Sequence, residues 1–368
     1  MLIGIHAGKL GRFPKTFQVY EKILKYNNID YIRLDINEPD FWEKVKGLDL
    51  FIFNFENTTD QKELAKTIIP VIQNQLNVTC FPDVTTAWSY DDKIKEFYLL
   101  KEAGFPVIES FIFWNKDHAL RWAQQAKYPM VFKLKAGSQS DNVILVKGKS
   151  FARRIIKRMF GRGVNPNKIA FNLSKTIKDL TIKNIVLNIA IKLYRFYKGI
   201  DRYPLWDKQK NYVIFQEFQP GNTYDTRITV IGDKAFGFVR YNRKNDFRAS
   251  GSGKKEYDPS KIDKKSLEIA FQISEHFKYQ SMAYDFLYND QNEPVVCEIS
   301  YTYPSKGIYN APGYWDRNLE WHVGHYWPQY LYLKDILNLQ KLRQPEIEVW
   351  KEDTLMSHIR KRLFTAKG

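Results

Sequence analysis

Apolar and polar positions alternate along the first 85 residues in a rhythm that predicts strands and helices in turn. Short apolar runs at 2–6, 31–34, 48–53 and 78–81 are typical of buried strands, and residues with helical spacing separate them. This alternation predicts a small parallel sheet covered by helices. The first strand is not followed by Gly-x-Gly-x-x-Gly, so the sequence disfavours a dinucleotide-binding site there.

Beyond residue 90 the pattern changes to strands separated by turns. A helix predicted over 91–103 stops at Gly104, a residue type common at helix C-termini, and the β-rich runs at 130–135 and 143–147 predict a hairpin. Further strands are predicted at 105–113, 213–218, 226–231, 235–241, 281–288 and 294–300, and helices at 118–126, 264–277 and 330–342. The pattern therefore predicts a mixed α/β and α+β chain with domains at 1–86 and 87–330 and a C-terminal helix and basic tail at 331–368.

The composition of the chain mainly excludes certain classes of protein. The chain has 368 residues, of which 44% are hydrophobic and 15% aromatic, too many for a disordered protein. Cys80 and Cys297 lie far apart, which excludes a disulfide scaffold and a cysteine-built zinc site and favours a reducing compartment. The sequence contains no secretory signal and no apolar run of about 18 residues, so we expect a cytoplasmic protein.

The charge, by contrast, is concentrated in one stretch of the chain. The whole chain has 57 Lys and Arg against 41 Asp and Glu, a net charge of +16. Residues 147–212, here called the basic segment, hold 17 basic and three acidic residues, a net charge of +14. Helical patterns at 151–160 and 174–200 combine these basic side chains with an apolar stripe.

Three interpretations of the basic segment stay open. Its helices could pack their apolar stripe on the domain and leave the basic side chains in solvent. They could instead hold the protein at the anionic inner face of the membrane, through residues 151–200. A nucleic acid or an acidic protein is the third partner, and the lack of any nucleic-acid-binding motif disfavours it.

Five polar groups follow one another at the predicted strand and loop positions. They are Lys93; Lys133 with Gly137-Ser138-Gln139; Gln216-Glu217-Phe218 with Asp225; Arg240 with Asp246-Phe247-Arg248; and Asp285 with Glu298. A strand lysine presents a point charge to a phosphate, and a loop of small residues lets backbone N–H groups approach it. Carboxylates that face each other on adjacent strands suit Mg²⁺, and nearby arginines can stabilise a phosphoryl-transfer transition state.

In this order the five groups resemble an ATP-grasp ligase of the RimK and glutathione-synthetase type, over about residues 87–305 without the basic segment. The family's lysine strand and Gly-Thr-Gln loop are similar to Lys133-Leu134 and Gly137-Ser138-Gln139. Its Gln-Glu-Tyr motif resembles Gln216-Glu217-Phe218, its Asp-Ile-Arg motif resembles Asp225-Thr226-Arg227, and its Asp-Phe-Arg motif resembles Asp246-Phe247-Arg248. The resemblance implies an N-terminal pre-ATP-grasp domain, then a two-lobed ATP-grasp fold with a basic helical insertion.

The resemblance also implies a role for each residue of the five groups. ATP would lie between the two lobes, with its phosphates at Lys93, Lys133, Ser138 and Gln139, its adenine at Gln216, Glu217 and Phe218, and its ribose at Asp225. The metal, Mg²⁺ or alternatively Mn²⁺, would be held by Asp285, Glu298 and Ser300. The catalytic residues would be Arg240, Arg248 and Ser250, acting on an acyl phosphate that an amine then displaces to give an amide.

Two positions depart from the family pattern, since Ser300 and Ser250 stand where the family often has asparagine. Two hypotheses therefore remain. The first is a carboxylate–amine ligase acting on small-molecule or glycan substrates, with a surface-glycan or cell-envelope precursor as one candidate. The second is a binding or regulatory protein that keeps ATP but has lost ligation. Dimers are common in the family, so the resemblance also implies a homodimer.

Overall fold

The computed structural model describes residues 1–6, 15–55, 57–136, 143–164, 207–243, 246–248 and 253–347. Three sheets organise these residues. The predictions for Ser138, Gln139 and Ser250, and for a helix at 174–200, fall outside the described residues.

The first sheet, the N-terminal sheet, is parallel as the sequence predicts. It consists of β1 (Leu2–His6), β2 (Asp30–Leu34), β3 (Leu50–Ile52) and β4 (Thr79–Phe81), in the order β2-β1-β3-β4. Every neighbouring pair of strands is parallel. The helices in this part of the chain are α1 (Lys15–Tyr26), α2 (Phe41–Val45), α3 (Thr59–Asn74) and α4 (Val84–Trp88). The strands read as short apolar runs because a parallel sheet is covered on both faces.

The second sheet, the small sheet, pairs its strands antiparallel. It consists of β5 (Ser110–Phe113), β6 (Met130–Lys133), β7 (Ile144–Val146) and β8 (Val213–Glu217), in the order β5-β8-β6-β7. The predicted hairpin is confirmed, since β6 and β7 are paired. The helices here are α5 (Lys93–Glu102), α6 (Lys116–Gln125) and α7 (Lys149–Met159). The predicted end of α5 is also confirmed, because Gly104 follows it with a φ of +75°.

The third sheet, the large sheet, has seven strands. They are β9 (Tyr224–Ile231), β10 (Lys234–Tyr241), β11 (Lys255–Glu256), β12 (Ser281–Tyr288), β13 (Pro294–Ser300), β14 (Gly313–Trp315) and β15 (Trp321–Val323). Their order is β13-β12-β9-β10-β14-β15, with β11 paired to β10. The helices of this region are α8 (Lys264–Phe277) and α9 (Ser305–Tyr309), and α10 (Pro328–Ile336) follows. The Asp263 carboxylate caps α8 by accepting hydrogen bonds from the backbone of Lys265 and Ser266.

The N-terminal sheet is buried on both faces by other parts of the chain. On one face, Ile3 belongs to the same apolar cluster as Trp327 and residues of α10. On the other face, Phe51 shares a cluster with Tyr284 of the large sheet. The end of the described chain therefore packs against its first strands, and the N-terminal sheet is joined to the large sheet by a continuous core.

Among the predicted elements that are shorter than their apolar patterns, two have a clear local cause. The strand predicted at 105–113 forms only over β5, because Pro106 has no N–H to donate and Val107 makes only an isolated bridge with Val296. The helix predicted at 330–342 is observed over α10, and Asn338 beyond it has a φ of +50°, a left-handed conformation that cannot continue a helix. Of the helices that the structure describes, none is long and apolar enough to cross a bilayer.

The first helix of the basic segment packs its apolar face on the protein. In α7, Ala152, Ile155, Ile156 and Met159 are buried in the core of the small sheet. The basic residues of the same helix, Arg153, Arg154, Lys157 and Arg158, are exposed. For this helix the packing interpretation accounts for the apolar stripe, which is therefore not available to a membrane.

Candidate active site

A narrow cleft lies between the small sheet and the edge of the large sheet. Four residues from the predicted groups line it, Lys93, Lys133, Gln216 and Glu298, together with Cys297 and Ser110. They come from the start of α5, the end of β6, β8 and the last part of β13. The cleft holds about 20 Å³, so its walls are nearly in contact.

Lys93 enters the cleft from the first turn of α5. Its Nζ lies 3.0 Å from Glu298 Oε1 and 3.7 Å from Asp91 Oδ1. Burial disfavours the charged ammonium, but the carboxylates of Glu298, Asp91 and Glu96 outweigh it and raise the pKa of Lys93. Lys93 therefore stays protonated and ties α5 to β13.

Lys133 is the buried cation of the cleft that lacks a carboxylate. Its side chain comes from the last residue of β6 and is 6% exposed. Its Nζ lies 3.5 Å from the carbonyl oxygen of Cys297 and 3.4 Å from the Cys297 Sγ. Within the described part of the chain, no carboxylate forms an ion pair with it. A buried charge without a counter-ion is costly, so this position favours an anion supplied by a ligand.

Four charged side chains form a row across one face of the large sheet, here called the arginine–carboxylate row. Asp225 and Arg227 lie two residues apart on β9, opposite Arg240 of β10 and Asp285 of β12 respectively. Arg240 donates to both Asp225 oxygens at 2.6 Å, and Arg227 donates to the Asp285 oxygens at 2.6 and 2.7 Å. Arg240 also lies 2.7 Å from Asp285 Oδ2. Arginine thus contacts Asp225 at two points and Asp285 at three.

Burial and the contacts within the row shift the pKa values of its two carboxylates. Burial alone would raise the pKa of Asp285, but Arg227 and Arg240 hold it well below its usual range. The pKa of Asp225 is raised, because burial and the neighbouring carboxylate of Asp285 outweigh its bond to Arg240. The two carboxylates differ because Asp285 is bonded to two arginines and Asp225 to one.

The two predicted metal carboxylates face each other across β12 and β13. Asp285 is the register partner of Glu298, and Ser300 lies two residues further along β13. The side chain of Glu298 is 34% exposed, while that of Asp285 is 6% exposed. The Ser300 hydroxyl donates to the backbone oxygen of Thr302 at 2.9 Å. Mg²⁺ needs only one or two protein carboxylates when phosphates and water supply the rest, so this pair fits it.

The residues predicted for adenine and ribose lie beside the cleft. Gln216 donates to the Ser110 hydroxyl at 3.3 Å, and Glu217 is exposed at the end of β8. The ring of Phe218 contacts that of Phe247 edge-on, with centroids 5.7 Å apart. Asp225, predicted for ribose, is bound to Arg240 in the row. Their roles toward ATP stay predictions.

The two predicted catalytic arginines have different surroundings. Arg240 belongs to the row and is 7% exposed. Arg248 donates to both oxygens of Asp246, at 2.8 and 2.9 Å, and to the Val143 carbonyl oxygen at 3.4 Å. Val143 immediately precedes β7, so Arg248 links the loop after β10 to the hairpin of β6 and β7.

The sequence-based site gave no role to three charged residues that the structure places here. Arg227 was named in the motif Asp225-Thr226-Arg227, and because it is two residues from Asp225 it shares that residue's face of the strand. Glu96 could have been found, since it lies one helical turn from Lys93. Burial raises the pKa of Glu96, and Glu298 and Asp91 add to this against the effect of Lys93. Asp91 carries no comparable signal in the sequence.

Comparison with known proteins gives this site a family context. A RimK-like ATP-grasp domain model matches residues 201–311. The α-aminoadipate–LysW ligase LysX of Saccharolobus solfataricus is 25% identical over 230 residues, which cover 61% of this chain and 68% of that protein.

Solved structures extend the similarity to most of the fold. Carboxyaminoimidazole ribonucleotide synthase of Aspergillus clavatus, complexed with ATP, has a TM-score of 0.53 at 11% identity, covering 94% of this chain and 80% of that one. D-alanine–D-alanine ligase of Bacillus anthracis has a TM-score of 0.50 at 13% identity, covering 82% and 86%. These two likenesses show the fold alone. The domain match over residues 201–311 and this shared fold support the resemblance to RimK-type ATP-grasp ligases that the sequence indicates.

Proposed function

We propose that this protein is an ADP-forming ligase that activates a carboxylate with ATP and joins it to an amine. The observation that carries the proposal is Lys133, a buried cation that faces the cleft without a carboxylate partner in the described chain. A nucleotide phosphate supplies the missing negative charge. The match to a RimK-like ATP-grasp domain supports this choice of ligand.

The reaction has two balanced steps. A substrate carboxylate oxygen attacks the γ-phosphorus of ATP, which gives an acyl phosphate and ADP. The amine nitrogen then attacks the acyl carbon, the carbon–oxygen bond to phosphate breaks, and an amide, inorganic phosphate and a proton are formed. Lys133 and Lys93 line the cleft where the phosphates would lie. Buried arginines such as Arg240 can stabilise the negative charge that develops on the transferred group.

A divalent cation fits the edge of this cleft. Glu298, with Asp285 opposite, would hold it, and Mg²⁺ would neutralise phosphate charge during transfer. Because both Asp285 oxygens already accept hydrogen bonds from arginine, Glu298 is the more available of the two.

Nucleotide binding requires the cleft to widen. Its volume of about 20 Å³ is far below the several hundred that small-molecule sites hold. Polar contacts across it include Lys93 with Glu298, Lys133 with Cys297, and the Ile299 N–H with Glu96. We therefore infer that ATP replaces the partners of both lysines as it enters.

Carboxylate activation can be tested without knowing the amine. Hydroxylamine traps acyl phosphates as hydroxamates, so purified protein with Mg·ATP, hydroxylamine and pooled carboxylates should release ADP and hydroxamate in equal amounts. Lys133→Met should abolish both products. Lys101→Met is the matched control, because Lys101 lies on the exposed side of α5 and pairs with Glu109. Turnover that persists in Lys133→Met would contradict the proposal.

The hydrogen bonds made by two predicted metal ligands, Asp285 and Ser300, support a second candidate function. Asp285 is fully bonded by arginines and the Ser300 hydroxyl is bonded to Thr302, which suits a protein that binds ATP without transferring its phosphoryl group. Tight ATP binding with no ADP release over the whole carboxylate panel would favour this function over ligation.

The substrate class is a further part of the proposal. We propose a small-molecule or glycan carboxylate. A carboxylated sugar of a cell-envelope precursor is one candidate, because the basic segment, with its net charge of +14, would attract anionic substrates. The hydroxamate assay run with free amino acids and, separately, with uronic acids distinguishes a small-molecule carboxylate from a carboxylated sugar as the substrate.

A further inference from the structure

One oxygen of the buried Glu96 carboxyl group has no hydrogen-bond partner within the described part of the chain. Glu96 lies on α5, one helical turn after Lys93, and its side chain lines the cleft. The residue is 4% exposed, and its Oε2 accepts a hydrogen bond from the backbone N–H of Ile299 at 3.3 Å. Its Oε1 is buried and accepts none. A buried polar atom without a partner costs free energy, so this oxygen indicates a ligand that the described chain does not supply.

The hydrogen bond to Ile299 places the Glu96 carboxyl group beside Glu298. Ile299 is the residue after Glu298 on β13, and both glutamates line the cleft. Burial raises the pKa of Glu96, and the carboxylates of Glu298 and Asp91 raise it further against the effect of Lys93. The carboxyl groups of Glu96 and Glu298 are therefore near enough to repel each other when both are ionised.

The ammonium group of Lys93 is the cation that now lies among these carboxylates. Its Nζ lies 3.0 Å from Glu298 Oε1 and 3.7 Å from Asp91 Oδ1. Asp91 has a second cation, since Lys62 Nζ lies 3.0 Å from its Oδ2. Among the described ion pairs, Glu298 has no cation besides Lys93. If ATP takes Lys93 from Glu298, as proposed above, Asp91 keeps Lys62, while Glu96 and Glu298 face the cleft as two carboxyl groups without a cation.

We propose that Glu96 is a further ligand of the divalent cation that accompanies ATP, and that it shares this ion with Glu298. The inference rests on the proposed function. Mg²⁺ prefers oxygen ligands, and proteins usually hold it with one or two carboxylates while phosphates and water supply the rest. Glu96 Oε1 would gain the partner that it lacks, and the ion would replace the positive charge that Lys93 takes to the phosphates.

The hydrogen bonds of the other predicted metal ligands favour this assignment. Both oxygens of Asp285 already accept hydrogen bonds from arginines, which compete with a cation for them. The hydroxyl of Ser300, which stands where the family often has asparagine, donates to the backbone oxygen of Thr302. Glu96 Oε1, by contrast, is the only buried carboxylate oxygen in the described part of the chain that has no partner.

A purely structural role for Glu96 is the alternative. In that role its Oε2 would fix α5 on the edge of β13 through Ile299, and no ion would be involved. Glu96→Gln separates the two roles. The amide keeps the size of the side chain and one oxygen for the Ile299 N–H, but the second oxygen becomes an NH₂ group, which donates hydrogen bonds and does not bind a cation.

A titration of the full-length protein with Mn²⁺ tests the proposal, because electron paramagnetic resonance measures the free ion directly. The protein is first saturated with a non-hydrolysable ATP analogue. We expect Glu96→Gln to weaken Mn²⁺ binding at least about tenfold. Its affinity for the analogue in EDTA and its melting temperature without metal should not change. Glu96→Asp, which keeps the charge but withdraws it by one methylene group, should also weaken Mn²⁺ binding and serves if Glu96→Gln does not fold.

Glu102→Gln is the matched control, because Glu102 is an exposed residue at the end of the same helix and does not line the cleft. It should bind Mn²⁺ as the unmodified protein does. Unchanged Mn²⁺ affinity in Glu96→Gln would overturn this inference and leave the ligase proposal intact. So would an equal loss of analogue binding in EDTA, since Glu96 would then act on the fold or the nucleotide. An unmodified protein that binds neither the analogue nor Mn²⁺ would overturn the proposed function as well.

Discussion

The arginine–carboxylate row and the cleft beside it are both rich in charge, but they satisfy it differently. In the row, Asp225 and Asp285 accept hydrogen bonds from Arg227 and Arg240 through every carboxylate oxygen. In the cleft, the polar partners of Lys133 among the described residues are a carbonyl and a thiol. Both carboxylates of the row are thus paired by arginines of the protein, whereas we propose that Lys133 receives its anion from a ligand.

Glu298 and Asp285 show the same difference at the boundary of the two regions. They are register partners on neighbouring strands, yet the side chain of Glu298 is 34% exposed and that of Asp285 is 6% exposed. A buried, fully bonded carboxylate contributes mainly to the folded structure, because removing it leaves its partners unpaired. A partly exposed carboxylate with one lysine partner can change partners when a ligand arrives.

The largest expected effect is on the stability of the row. Asp285→Asn leaves Arg227 and Arg240 buried without the charge that both now share, so we expect the free energy of unfolding to fall by about 3–5 kcal/mol. Urea denaturation followed by circular dichroism measures this. A loss below about 1 kcal/mol would contradict a stabilising role for the row.

Glu298→Gln should reduce activity strongly while changing stability little. Lys93 keeps Asp91 at 3.7 Å, so the free energy of unfolding should change by less than about 1 kcal/mol. ADP formation should fall about 100-fold, because this carboxylate is the more available metal ligand. The same denaturation series and the hydroxamate assay measure both quantities. Equal losses of stability in Glu298→Gln and Asp285→Asn would remove the distinction between the two regions.

The pH dependence of stability sharpens the comparison. The folded-state pKa of Asp285 is depressed, so its contribution is full above its unfolded pKa of about 3.9 and is lost as pH falls toward the folded value. The difference in unfolding free energy between the unmodified protein and Asp285→Asn should therefore be constant from pH 7 to 5. It should then narrow by up to about 1.4 kcal/mol per pH unit below about pH 4. A gap that widens in acid would contradict this assignment.

The smallest effect is expected at Cys297. Its carbonyl oxygen, which any residue supplies, lies 3.5 Å from Lys133 Nζ, while its thiol is a weak acceptor at 3.4 Å. Cys297→Ser should therefore change the dissociation constant for ATP less than about threefold. A much larger change, measured by calorimetry, would mean that the thiol itself positions Lys133.

Much of the fold could be predicted from the sequence, since its patterns are local. Alternating apolar runs indicated the parallel N-terminal sheet, and small polar residues between two β-rich runs indicated the hairpin of β6 and β7. The strand predicted at 105–113 was too long because the apolar pattern outweighed Pro106. Boundaries of this kind depend on single residues.

The candidate site was less predictable, because its pairings join distant residues. The order of the five groups identified Lys93, Lys133, Asp285 and Glu298 as a set, but no local signal pairs Lys93 with Glu298 or binds Asp285 to two arginines. Those contacts follow from strand register and from the approach of two sheets. The apolar stripe of α7 showed the same limit, since periodicity does not reveal which surface covers it.

Lys133 is buried and has no carboxylate partner among the described residues, and we propose that a nucleotide phosphate supplies its anion. Calorimetric titration of Mg·ATP into the unmodified protein and into Lys133→Met tests this directly. We expect saturable binding to the unmodified protein and at least about tenfold weaker binding to the variant, from the loss of one charge-assisted contact. Equal affinity in the two proteins, or no binding of ATP to either, would contradict the account.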